Sequence, residues 1–163
     1  MALEGFNIDT CVPSLAGAGT LEYVPLDEVD TAAFEEALLA SSYNQQADAG
    51  VSTWYPLPYA AGSGSWSEDQ QDTDQGAHFR LSINTFLPAD STVVRGEINA
   101  MRHRRFLLRL TKNGTTTLIG SPERGLRFSS TFESGSEGGD NRGHRMQFSG
   151  VSLQKSPGYV PVF

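Results

Sequence analysis

The spacing of apolar residues changes along this chain, and each change marks an element. From His78 to Leu87 the period is two: Phe79, Leu81, Ile83, Thr85 and Leu87 share one side, and Arg80, Ser82 and Asn84 the other. That is the pattern of a strand with one buried face. Arg104 to Leu110 alternates again, with Phe106, Leu108 and Leu110 opposing Arg105, Leu107 and Arg109, and Asn113-Gly114 follows. Asn-Gly between two such runs predicts a tight hairpin that pairs residues 104–111 with Thr115 to Ile119. Leu126, Phe128, Ser130 and Phe132 form one arm of a further hairpin and Met146, Phe148 and Gly150 the other. Their connection, Glu133 to Gly143, holds Gly135, Gly138, Gly139 and Gly143. Earlier in the chain, Thr20 to Leu26 reads as a first strand, with Pro25 placing it at an edge or end. Trp54, Tyr55, Leu57 and Tyr59 have β texture, the Ala60 to Gly64 stretch is flexible, and Trp66 opens a short strand. The run from Glu68 to Gly76 is too polar to pack and reads as a projecting hairpin tip.

Two segments have helical spacing instead. Asp30 and Thr31 are N-cap residues ahead of Ala33, Phe34, Ala37 and Leu38, which predicts a helix near Asp30 to Ala40. After Pro88, Asp90 and Ser91, the positions of Val94, Ile98 and Met101 predict a second helix over residues 90–101, despite Gly96. Residues 1–19 have few apolar anchors and read as a flexible arm, and residues 20–163 as one domain. The expected fold is mainly β: an antiparallel β-sandwich or barrel with one or two short flanking helices and long hairpin loops.

With 163 residues, 38% of them apolar, the chain suffices for one core. No run of about eighteen apolar residues predicts a membrane span, and the N-terminus does not have the order of a signal peptide. One cysteine, Cys11, forms no internal disulfide, and three histidines do not point to a metal cage. The net charge of −7 is unevenly spread. Residues 1–94 carry fourteen acids and one base, Arg80, while residues 95–163 carry five acids and eleven Lys and Arg, giving formal charges of −13 and +6. Either the two parts neutralise each other within the fold, or they present unlike surfaces for head-to-tail assembly.

No catalytic constellation stands out. There is no Gly-x-Ser-x-Gly elbow, Cys11 has no local signature shared with His78, His103 or His144, and no phosphate-binding glycine loop is present. Asp69, Asp72 and Asp74 before Gly76 raise calcium as a question, but the spacing misses the EF-hand pattern and reads as a solvated acidic tip. The expectation is a non-enzymatic protein with no catalytic, metal or cofactor site. The one basic cluster, Arg102-His103-Arg104-Arg105 with Arg109 and Lys112 beyond it, reads as an interface for an acidic surface rather than a nucleic-acid site. Candidate subunit-interface residues are therefore Arg102, Arg104, Arg105, Arg109, Tyr159 and Phe163, the last two from the apolar tail. Glu68, Asp69, Asp72 and Asp74 are the candidate acidic lumen or hairpin-tip residues. Trp54, Tyr55, Tyr59 and Trp66 would suit a carbohydrate-stacking platform or, as ordinary aromatics beside strands, a core.

The order of elements resembles the tail-tube proteins of bacteriophages. The resemblance rests on the arm before Thr20, the helix near Asp30 to Ala40, the hairpin around Gly64 to Leu87 and the β-rich region from Arg104 to Ser152. Gly64-Ser65-Trp66-Ser67-Glu68, Leu118-Ile119-Gly120-Ser121-Pro122-Glu123 and Phe148-Ser149-Gly150 are also similar in style to small virion proteins. It implies a virion subunit assembled in the host cytoplasm, self-associating into stacked, usually hexameric rings and meeting other tail proteins. The channel would be acidic, and DNA would pass through it during ejection without specific binding. A tail terminator or head-tail joining protein is the neighbouring alternative, and the helix over residues 90–101 is a departure from the tube layout.

Overall fold

The computed structural model describes residues 5, 20–30, 32–33, 51, 53–60, 63–112, 115–121, 123–136, 142–153 and 158–159. The fold is mainly β, with nine strands in one antiparallel sheet, one α-helix bounded within the described residues and a short 3-10 turn at Leu26–Glu28. The strands are β1 (Thr20–Pro25), β2 (Tyr55–Pro56), β3 (Ser65–Thr73), β4 (Gly76–Leu87), β5 (Arg105–Lys112), β6 (Thr115–Ile119), β7 (Leu126–Glu133), β8 (Gly143–Ser152) and β9 (Gly158–Tyr159), and the helix is α1 (Thr92–Met101).

Strand β5 organises the sheet because both its faces are apolar: Phe106, Leu107 and Leu108 in succession are fully buried. One edge of β5 pairs with β1 from Thr20↔Thr111 to Pro25↔Phe106. The other edge forks. Leu108 to Lys112 pair with β6, whereas Arg105 and Phe106 pair with Arg127 and Leu126 of β7. From the fork a four-stranded sheet runs β7-β8-β4-β3. Residues of both branches meet in one cluster: Leu21, Tyr23, Phe106, Leu108 and Ile119 from one, and Leu81, Ile83, Leu126, Met146 and Phe148 from the other. Val94 and Met101 of α1 join it, as α-helical spacing requires. On the far side of β5, Leu107, Val24 and Leu118 form a smaller cluster with Trp54 packed against it. Leu107, counted by alternation with the polar face, is thus a core residue of this second layer.

The second predicted helix is α1, capped by Ser91, whose side chain accepts a hydrogen bond from the Val94 amide at 3.2 Å. Of the first, Ala32 and Ala33 are helical and the Ala33 amide donates to Asp30 Oδ1 at 3.2 Å, the cap expected there. The rest of that helix, the arm apart from Gly5, Cys11, Asn113-Gly114 and Phe163 lie outside the described residues. The register of β5 and β6, with Lys112 opposite Thr115, is that of the predicted hairpin. The polar run after Trp66 is strand as far as Thr73, paired residue by residue with β4, and only from Gln71 onward does it form the projecting hairpin tip expected there. A backbone ladder needs no buried side chains to hold it once the partner strand is fixed.

Candidate functional site

Helix α1 packs its Val94 and Met101 on the main cluster and is fastened at its middle and at its start. Glu97, buried at 6% exposure, accepts a hydrogen bond from the Tyr23 hydroxyl at 2.9 Å, tying the middle of α1 to β1. Burial first, and then the charge of Glu97, push the Tyr23 phenol far above its ordinary range. Ahead of the helix, the Asp90 carboxylate receives Arg95 through both guanidinium contacts at 2.6 and 2.8 Å, Arg142 at 3.2 Å and His144 at 3.3 Å. The Arg95 bonds above all, then those from His144 and Arg142, hold Asp90 well below the usual carboxylate range, against the opposing effect of burial. Arg95 and Arg142 also lie over the Phe132 ring, 5.0 and 5.9 Å from its centroid. This cluster joins α1 to β7 and β8.

Fixed in that position, α1 and β7 border an open groove of about 1100 Å³. Its lining includes Arg95, Arg102, His103, Arg104, Arg105 and Arg127, with no carboxylate. The groove exists because β7 leaves β5 after two residues: among the described residues, no strand pairs with the outer edge of β7 from Phe128 to Glu133. At the helix end His103 takes a left-handed backbone conformation, φ 64°, and the Arg104 amide returns to the Met101 carbonyl. That turn sends Arg102 and Arg104 to the groove from consecutive sides of the chain.

A second groove, of about 720 Å³, shares Arg105 and Arg127 with the first and adds Arg80 and Arg124. The two arginines it shares are directly opposed across β5 and β7. Gly125 makes that approach possible, since a Cβ there would stand 2.7 Å from Arg105 Cβ and 2.5 Å from a Leu26 methyl. Arg105 also donates to the Gly125 carbonyl at 3.5 Å.

The candidate acidic residues sit at the other end of the four-stranded sheet. Glu68, Asp69 and Asp72 are on β3, and Asp74 is at the turn, where Thr73 faces Gly76. Pairing of β4 with β8 stops at Phe79↔Ser152, so the hairpin from Gln71 to His78 extends past its neighbour. Among the described residues no strand covers the outer edge of β3.

Of the candidate interface residues, Arg102, Arg104 and Arg105 are brought together in the first groove. Arg109 is not with them: it holds Glu22 through two contacts at 2.8 and 3.0 Å and stacks on Trp54 at 4.6 Å. Tyr159 belongs to β9, which pairs with β6, and its side chain is outside the described residues. Sequence reasoning missed Arg80, Arg124 and Arg127, which join the cluster only through strand register. Alternation did place Arg80 on a solvent face. The four aromatics proposed as a sugar platform pack into the two apolar clusters, three of them on the main one. Tyr59 is buried, Trp66 packs on the main cluster, Trp54 on the second, and Tyr55 stacks on Tyr23.

The charge division is resolved in part within the fold. Arg109 with Glu22, Arg104 with Asp27, and Arg95 and Arg142 with Asp90 all join a base of the later segment to an acid of the earlier one. Of the described charges outside these pairs, Glu68, Asp69 and Asp72 lie on β3, and Arg105 and Arg127 meet where β7 leaves β5. Among the described residues there is no group of three or more His, Cys, Asp or Glu placed to hold a metal, and no helix long and apolar enough to cross a membrane. No protein-family model, curated protein or solved structure matches this chain.

Proposed function

We propose that this protein is a non-enzymatic structural subunit that joins copies of itself head to tail, of the kind that builds the tail tube of a phage or prophage. Its rings would stack around a channel for DNA. The observation that carries the reading is the pair of open edges on one sheet: β7 beside an arginine-lined groove, and β3 bearing carboxylates. Three antiparallel pairings separate them, so β7 and β3 run in opposite directions. A second copy added by rotation therefore brings its β3 antiparallel to the first copy's β7, and the ladder continues across the joint. Unlike charges favour that joint and disfavour like edges meeting. In such a ring the overhanging hairpin would carry Asp72 and Asp74 to one end, as an acidic mouth.

Velocity sedimentation and negative-stain electron microscopy test this directly. The wild-type protein is expected to form rings or tubes as concentration rises, and Arg102→Glu or Asp72→Arg alone to remain monomeric. An equimolar mixture of the two variants should regain assembly, because each supplies the edge the other has spoiled. Rings that never lengthen would favour a terminator or joining role. A wild-type chain that stays monomeric at every concentration and salt would overturn the proposal.

A further inference from the structure

We infer that the solvent face of the β7-β8-β4-β3 sheet is a contact surface for the sugar-phosphate backbone of duplex nucleic acid. This goes beyond the assembly reading, since one subunit carries the whole surface. Register lines up Arg105, Arg127, Ser149, Ser82 and Ser67 in one row across five strands. At strand spacings of about 4.8 Å the row is roughly 19 Å long. The next row along is Ser129, Gln147, Asn84 and Ser65. Arg80 stands one pleat from Ser82 on the same face, opposite Asp69 of β3. The adjoining groove adds Arg124, and Glu123 is its single carboxylate.

Three features select the ligand. Arg105 and Arg127 are opposed like charges, an arrangement that costs stability until an anion lies between or above them. The side chains beside them are short hydroxyls and amides, the partners that accompany arginine in contacts to phosphate oxygens. Neither row holds an aromatic residue, so neither unstacked bases nor a protein hot spot would find its usual anchor there. A flat polar face edged by guanidinium groups suits a duplex read by charge alone. This differs from the expectation of DNA passage past acidic walls alone: Asp72 and Asp74 overhang at the hairpin end, and on the sheet face the single carboxylate of β3 near the rows, Asp69, stands opposite Arg80.

The test is fluorescence anisotropy of a short labelled DNA duplex titrated with the full chain over a range of salt concentrations, with sedimentation recorded on the same samples. Binding at low salt is expected, with an affinity that falls on a logarithmic salt plot. Arg127→Glu should weaken it by about tenfold, and Arg124→Glu with Arg127→Glu should lower the slope by about 0.9 for each phosphate that is no longer neutralised. Lys112→Glu makes the same change in net charge at the far end of β5, outside both grooves, and should leave affinity and slope unchanged. Equal losses from Lys112→Glu and Arg127→Glu, or equal affinity for a polyglutamate peptide, would overturn the inference, as would no binding by a protein that forms rings. Duplex binding by a protein that never assembles would sustain it and remove the tube reading instead. Thermal melts of each variant separate weakened binding from failure to fold.

Discussion

Tyr23 shows how much of this molecule depends on single polar contacts inside an apolar frame. Its ring stacks on Tyr55 at 5.6 Å and meets Phe106 edge-on at 5.9 Å, while its hydroxyl serves the buried Glu97. Tyr23→Phe keeps the ring and takes away a hydrogen bond from a buried carboxyl group, which is expected to cost about 1–3 kcal/mol in urea unfolding. Tyr55→Phe should cost less, because its bond to Glu28 at 3.0 Å lies in a half-buried setting. The same residue, Tyr23, predicts a pH dependence. In the unfolded chain the phenol ionises near its ordinary value of about 10, whereas in the fold it is held protonated far above that. The contribution of Tyr23 is therefore undiminished below about pH 10 and is lost as pH rises beyond it, and thermal melts should show a shallower alkaline decline for Tyr23→Phe than for wild type.

At the scale of elements, the strands that alternate and the capped helix α1 were legible in the sequence, because burial on one face imposes a period. Strand β3 was not. Its polar residues are held by backbone pairing to β4, which leaves no hydrophobic trace. The fork of β5 was equally hidden: nothing local says that Arg105 will face Arg127, so the arginine grooves appear only with the register. Leu107 was misassigned for a related reason, since alternation assumes one buried face and β5 has two. Glycines give a check on the packing. Gly143, paired with Glu133 at the start of β8, lies against the backbone of Leu87 and Pro88 with no room for a Cβ, whereas Gly96 on α1 has open space around it. Gly96→Ala is expected to raise stability by up to about 1 kcal/mol through helix propensity. Gly143→Ala should lower the melting temperature sharply, because the main chain must move to admit it.

For the molecule as a whole, the uneven charge along the chain has two outcomes. Some of it folds together, as in the bidentate pairing of Arg109 with Glu22, and among the described residues carboxylates of β3 and arginines beside β7 stand at opposite edges of one sheet. The sequence made the asymmetry visible but not its sorting, which depends on β3 and β7 being the two outer members of a four-stranded sheet. Assembly through such edges should weaken with added salt where the arginine and carboxylate sides meet in water, and persist where the backbone ladder is sealed. Measuring ring formation across salt concentrations would therefore separate the two contributions.

The pairing of β1 with β5 also sets an order of events during synthesis. Thr20–Pro25 has no long partner strand until Arg105–Lys112 has been made, so most of the chain must emerge before its first strand can join the central one. Through that wait, the exposed segment is the acidic one, and its mutual repulsion keeps apolar residues such as Leu21, Tyr23 and Leu57 from drawing neighbouring chains together. A fragment of residues 1–94 should accordingly be soluble yet unfolded by circular dichroism. Adding the remainder in trans should restore strand signal. The charge that divides the finished subunit thus also protects the unfinished one.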